Sequence, residues 1–294
     1  MAAPVHKLPP VLSRWRALIV TLLAASLPAA AQIIDTGTGE ALGEQALADR
    51  LRASDVVLLG ELHDNATHHA ARGQLIARFA SKGTTVIAEH LPMDARVASR
   101  REGGELRPML EAAGFDASGW GWPLHEPLFS AIVDGGIALV GGNLPKGMSR
   151  HLATRGEAAL PGPVADAVRR AVLEPAALSL LDQDLIDGHC GKLPERYLPM
   201  MRLVQRATDA ALASALMRHR PSVLVAGNGH VRKDVGVPQV LRAVAPRLRV
   251  TSVAFLERGS EGPELIKSLS GRYDIVWFTE GARRSDPCES FQLQ

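Results

Sequence analysis

Asp55-Val56-Val57-Leu58-Leu59-Gly60-Glu61-Leu62-His63 and, far along the chain, Ser222-Val223-Leu224-Val225-Ala226-Gly227-Asn228-Gly229-His230 share one form: an apolar run, a glycine, and a histidine three residues on. Runs rich in β-branched residues, without polar alternation, suit strands buried on both faces of a parallel sheet. A glycine closing such a strand lets the backbone turn, and the histidine then lies beyond the strand's carboxyl end. In open α/β sheets ligands bind at that edge. The two motifs therefore predict imidazoles delivered to one rim from distant parts of the chain.

Working outward, four further segments read as strands, at 85–89, 137–140, 249–255 and 273–278. Between them lie helical patterns at 66–81, opened by Asp64-Asn65 as a cap, and at 127–134 and 237–244. The alternation predicts an α/β fold, a mainly parallel central sheet flanked by helices. Residues 146–219 differ, with helical periods at 164–173, 175–187 and 195–218 and almost no strand signal. In the last of these Met200, Leu203, Val204, Ala207, Ala211 and Ala215 form one apolar stripe. This stretch is expected to be a helical insertion over the carboxyl rim, punctuated by loops at Pro161-Gly162-Pro163 and Gly188-His189-Cys190-Gly191.

The first 31 residues read as a leader. Lys7, Arg14 and Arg16 precede an apolar run from Ala17 to Leu27, and Ala29-Ala30-Ala31 offers a cleavage point before Gln32. No cysteine stands at the junction, so a lipoprotein is not expected, and the exported domain would span 32–294 in the periplasm. The whole chain has 33 basic and 31 acidic residues, a formal charge of +2. The leader holds three of those cations and no acid, so the remainder carries −1. A near-neutral chain lacks the concentrated basic face that nucleic acid requires, and no later run is apolar and long enough to hold the processed protein in a membrane. Cys190 and Cys288 are an even pair in an oxidising compartment, open to bridging or to burial as free thiols.

Polar groups gather just past the ends of the apolar runs. Glu61 and His63 are two residues apart and face the same side of an extended backbone. Glu89-His90 follows the run at 85–88, Asn143 follows Gly141-Gly142, and His230 follows Gly227. Carboxylate and imidazole together hold metals or exchange protons. Glu61, His63 and His230 are the candidate metal ligands, with Glu89 as acid or base if the site is catalytic. Trp120 and Trp122, beside His125, could stack on a planar ligand. Gln205 and Asp209, one helical turn apart, could look into the cleft, and Arg232 could pair a ligand carboxylate. His68 and His69 read as solvated or as neighbours of the site, and His189 as a weaker ligand candidate. There is no phosphate-binding glycine loop with lysine, no paired CxxC, no HExxH and no GxSxG.

Leu59-Gly60-Glu61-Leu62-His63-Asp64-Asn65, the stretch 119–129 and Ala226-Gly227-Asn228-Gly229-His230-Val231-Arg232 resemble the ChaN family of the haem-binding-uptake and Tiki superfamily. Gln205-Arg206-Ala207-Thr208-Asp209, Asp234-Val235-Gly236-Val237-Pro238 and Tyr273-Asp274-Ile275-Val276-Trp277-Phe278 follow in the family's order, so the likeness runs from about Asp49 to Thr279. The resemblance implies an exported haem-binding protein of iron uptake, in some members a homodimer with haems stacked between subunits. It implies as the alternative a metal-dependent hydrolase, since Tiki and erythromycin-esterase relatives use the paired GxxH motifs for hydrolysis. Glu61, His63 and His230, with Glu89, match the motif residues. A tyrosine iron ligand is described for the family, and Tyr197 and Tyr273 are the only tyrosines here. Haem contacts are then expected from His63, His230 or Tyr197, with Trp120, Trp122, Asn143, Gln205, Asp209 and Arg232 around the porphyrin. Amino-terminal sequencing of the exported protein is expected to begin at or beside Gln32; an unprocessed Met1 would overturn the leader.

Overall fold

The structure, a computed structural model, describes residues 32–98, 104–259, 262–286 and 288–289; the leader expected over 1–31 lies outside them. Nine strands form one sheet: β1 (Gln32–Asp35), β2 (Ala41–Leu42), β3 (Val56–Leu59), β4 (Thr85–Pro92), β5 (Arg96–Val97), β6 (Ala138–Asn143), β7 (Ser222–Val225), β8 (Val250–Glu257) and β9 (Ile275–Thr279). Their order is β2-β1-β9-β8-β3-β7-β4-β6-β5. The central six, β9 to β6, run parallel and are the six strands expected from sequence. The short edges β1, β2 and β5 are antiparallel additions with little sequence signal. The two motif strands, β3 and β7, are direct neighbours in register Leu59 to Val225, so their glycines leave the sheet side by side.

Helices cover both faces. On one side lie α1 (Glu44–Arg52), α2 (Ala66–Phe79), α3 (Leu106–Ala112) and α4 (Glu126–Asp134), sealing a core of Leu59, Val86, Ala88 and Val225 against Leu75, Ile76, Phe129 and Ile132. On the other lie α5 (Met148–Arg155), α6 (Gly162–Arg170), α7 (Pro175–Gly188), α8 (Leu198–Arg218), α9 (Val237–Val244) and α10 (Pro263–Leu269). The described residues between 144 and 221 hold no strand, as expected. α8 lays Ala207, Ala211, Leu212, Ala215 and Leu216 on Leu58, Ile87 and Leu224, and its small side chains let helix and sheet approach closely. The Ser222 hydroxyl donates to the Leu216 carbonyl at 3.1 Å, which fixes the end of α8 at the amino end of β7. The ten residues of helix from Asp209 to Arg218 then rise about 14 Å over nine steps. This brings Asp209 level with the carboxyl rim, and the half of α8 before it projects past.

Two devices hold the segments that leave this rim. Asn65 caps α2, accepting from the Thr67 amide at 2.9 Å, and its own amide donates to Glu257 Oε1 at 2.7 Å and the Glu280 carbonyl at 3.1 Å. The tail after β9 is pinned twice. Arg284 donates to Glu257 Oε2 at 2.8 Å and Asp64 Oδ1 at 3.0 Å, and Cys288 forms a disulfide with Cys190 just past α7.

β4 and β6 run further than expected, through Pro92 and Asn143, because their pairing resumes after an irregularity between Ala88 and Pro92. Gly141 permits this. A Cβ there would lie 1.9 Å from the Pro92 carbonyl oxygen, a backbone atom that cannot step aside. Gly141→Ala is expected to cost roughly 3 kcal/mol through overpacking, read as a lowered midpoint in urea unfolding; an unchanged midpoint would refute this close approach.

Candidate functional site

Alternation along β4 divides the rim in two. Glu89 points to the α8 side, while His90 points to the α2 and α4 side, where Glu61 also faces. Each side gathers its own polar group, and His63 lies between them.

On the α2 side Glu61 is 1% exposed and every neighbour is polar. His63 Nδ1–H donates to its Oε1 at 2.6 Å and His90 Nε2–H at 3.0 Å. His125 Nε2 stands 3.5 Å from the same oxygen. The Arg72 guanidinium, fully buried, forms an ion pair with Oε2 and donates to the Leu59 carbonyl at 3.4 Å. His69 is also fully buried: Nε2–H donates to the His63 carbonyl at 3.0 Å, and Nδ1 accepts from Arg72 at 2.9 Å. Nδ1 also lies 3.1 Å from Glu61 Oε2, but since it accepts from Arg72 the ring is neutral and both acceptors share one guanidinium. Desolvation is the largest influence on His69, His90 and His125. It holds His69 at about 4 and the other two well below the ordinary histidine value, the charges of neighbouring groups adding to the effect on His125.

On the α8 side His230 is wedged between two carboxylates. Nδ1–H donates to Asp209 Oδ1 at 2.7 Å, Nε2 lies 3.4 Å from Glu89 Oε1, and the Gln205 amide stands 3.1 Å from Nδ1. Burial opposes protonation of His230, yet Glu89 and Asp209 outweigh it and raise its pKa well above the usual value. Burial likewise pushes Asp209 up, to about 6, whereas Glu89 is held low against its own burial, chiefly by the charge of His230. The two carboxylates thus favour the protonated ring of His230.

Gly227 joins the halves. Its amide donates to Glu89 Oε2 at 2.7 Å, and a Cβ on it would lie 2.8 Å from His63 Nε2. The His63 ring thus rests over bare backbone. Its side chain is 45% exposed while the other imidazoles around Glu61 are buried, and Trp120 lies edge-on to it at 5.1 Å between ring centroids.

The expected residues fall into three groups. Glu61, His63, Glu89, His230, Gln205, Asp209 and Trp120 meet at the rim. Asn143 stands beside it, donating to the Glu89 carbonyl at 2.9 Å. Trp122 packs behind, 6.0 Å from the Phe115 ring. Three expectations need correction. Arg232 is no free partner for a ligand: Asp234 takes it bidentately at 2.9 and 2.6 Å, Asp184 takes its other nitrogen, and it is 4% exposed. Tyr197 stands exposed beside Arg196, about 18 Å along the helix axis from Asp209, which removes it from the His63 group. His230 keeps to Asp209 and Glu89 and is not among the donors gathered around Glu61, so Glu61, His63 and His230 do not form one donor set. Tyr273 is structural, buried with its hydroxyl 3.4 Å from the Asn228 carbonyl and its pKa pushed up to about 12 by burial. His189 turns its Nδ1 to the Leu185 carbonyl at 2.6 Å. Sequence reasoning missed Arg72 and the part played by His125, although His125 stands in the tryptophan stretch and His90 follows Glu89 at alternating parity.

A family model for haem-binding uptake, Tiki superfamily, ChaN matches residues 47–241. The chain belongs to the ChaN family. Among solved structures it is similar to ChaN of Campylobacter jejuni, described as binding haem cofacially, with TM-score 0.68 and 19% identity over 85% of this chain and 97% of that one. A Bacillus cereus protein matches with TM-score 0.45 and 11% identity, over 81% of this chain and 92% of its own. No curated protein matches the sequence. Among the described residues of this ChaN-family protein, no helix is long and apolar enough to cross a membrane.

His68 offers a measurable consequence. Its Nδ1 accepts from the Leu62 amide at 3.0 Å and its Nε2–H donates to the Thr279 hydroxyl at 2.8 Å, a pattern only the neutral ring can make. Burial, the largest cause, lowers its pKa from 6.5 to about 4. Between those values the unfolded chain binds protons that the folded ring refuses, so stability falls as pH drops through that window and is intact above it. Urea unfolding at pH 7 and pH 5 is expected to show this fall, made shallower by His68→Gln; equal pH dependence in the two proteins would contradict it.

Proposed function

We propose that this ChaN-family protein is an exported, periplasmic haem-binding protein of haem or iron uptake. Residues 1–31 would be its cleaved leader and 32–294 one haem-binding domain. The porphyrin would sit in the groove between the carboxyl rim and the projecting half of α8, with Trp120 on its β4 side and Trp122 packed behind.

One observation carries the reading: His63 is the solvent-open member of an otherwise buried group, and its Nδ1–H is anchored on Glu61 Oε1 at 2.6 Å. A histidine held this way has its tautomer fixed, so that Nε2 keeps its lone pair, and a carboxylate behind the ring raises its strength as a donor. That is the chemistry by which an imidazole holds haem iron. His63 Nε2 would hold the haem iron, which when bound would accept that nitrogen's lone pair. The rest is the work of the chain: Gly227 gives the ring room, Glu61 orients it, and Trp120 offers a flat apolar face. His230, the cation bridging Glu89 and Asp209, fixes the strand-end loop that carries Gly227. Family membership and the fold shared with a cofacial haem binder support the same reading, and a homodimer closing over stacked haems is the assembly it expects.

Haemin titration followed in the Soret region tests it. Saturable uptake by the wild-type protein is expected, weakened at least roughly tenfold in His63→Ala, as loss of an oriented ligand requires. Absence of saturable uptake, or equal affinity in the two proteins, would overturn the proposal.

A further inference from the structure

We propose that Glu61, His63, His90 and His125 form a second binding site, for a divalent first-row transition ion such as zinc. The donor atoms of these four residues lie within 4.8 Å of one another. Three imidazole nitrogens surround one carboxylate oxygen, Glu61 Oε1, at 2.6, 3.0 and 3.5 Å. Ligands about 2.0–2.1 Å from a tetrahedral zinc stand about 3.3 Å apart, so these spacings bracket those of a filled site. Three nitrogens and one oxygen make a donor set for zinc, cobalt or ferrous iron; calcium and magnesium take oxygen ligands.

The second observation is His125. It is fully buried, and neither of its ring nitrogens has a hydrogen-bond partner among the described residues. A buried imidazole left unpaired is costly, because its nitrogens lose water and gain nothing in return. His125 is clamped by His69 at 3.9 Å, His90 at 4.6 Å and Phe129 at 6.3 Å between ring centroids, with Nε2 aimed at Glu61. An ion at that point would satisfy Nε2.

Arg72 sets the charge and orientation. Its pairing with Oε2 leaves Oε1 turned toward the three imidazoles. It also places a positive charge next to the site, so a neutral histidine set needs a strongly coordinating ion to hold it. Entry runs past His63, the one ligand that is substantially exposed. This site uses the His63 Nδ1 lone pair, which moves the ring proton to Nε2, whereas the haem reading keeps it on Nδ1; the two ligands compete for one ring, and each is measured in the absence of the other.

Cobalt is the probe. The purified protein would be stripped with a chelator, loaded with cobalt(II), desalted, and measured by elemental analysis and visible absorption. One ion per chain with the intense bands of four-coordinate cobalt is expected. His125→Phe, which keeps a ring in an aromatic cluster, and Glu61→Gln should each weaken binding by roughly 100-fold or more, since even groups behind the ligands are worth 10–100-fold. Substoichiometric cobalt in the wild-type protein, a six-coordinate spectrum, or undiminished binding by His125→Phe would overturn the proposal. The wild-type measurement decides even if a variant fails to fold. Haemin titration of the metal-free protein separates the readings: haem uptake without cobalt binding sinks only the ion site, and cobalt binding without haem uptake sinks only the haem groove.

Discussion

A carboxylate deprived of water must be matched on each of its oxygens, and Glu61 is such a group. Removing an ion from water costs several kcal/mol even after the protein relaxes, unless charge and hydrogen bonds are returned to it. Arg72 returns the charge on one oxygen and His63 and His90 return hydrogen bonds on the other. Much of the architecture around the rim follows from that need. α2 must present Arg72 and His69 inward, β4 must run on through His90, and the tryptophan stretch must bring His125 beneath. Taking Glu61 away would strand a buried guanidinium, a graver fault than the loss of one contact.

The opposite side of the rim solves a similar problem differently. Glu89 and Asp209 share one imidazolium, His230, and the network reaches the backbone through the Gly227 amide. One side keeps its histidines neutral and the other keeps one charged. The contrast comes from what each ring faces: on the first side one carboxylate, already paired with a guanidinium and shared among several imidazoles, and on the second two carboxylates on a single ring. His63 stands where the two regimes meet, which is why it alone is both oriented and accessible.

The parallel core was legible because fully buried strands write themselves as apolar runs, and glycines marked where β3 and β7 end. Glu61, His63, Glu89 and His230 were legible as consequences, being strand-end residues whose position follows from the strand. Gln205 and Asp209 were legible from one helical turn of spacing. Arg72 was not, since an arginine on an amphipathic helix reads as a solvated cation until α4 and the rim are packed over it. His68 and His69 fail for the same reason: adjacent positions of a helix face different directions, and only the tertiary arrangement buries both. Arg232 misled because adjacency to His230 says nothing of which way a loop side chain turns. Asp184, 48 residues earlier, decides that.

The disulfide has a mechanical consequence. Cys190 belongs to the helical layer on the α8 side, and Cys288 sits four residues beyond Arg284, which grips Asp64 next to His63. Four residues span at most about 14 Å. The tail is thus a short tether between the helical layer on the α8 side and the loop that carries His63, and neither can swing away far without pulling on the other. The width of the rim is thereby set by the strap that Arg284 and Cys288 lay across it.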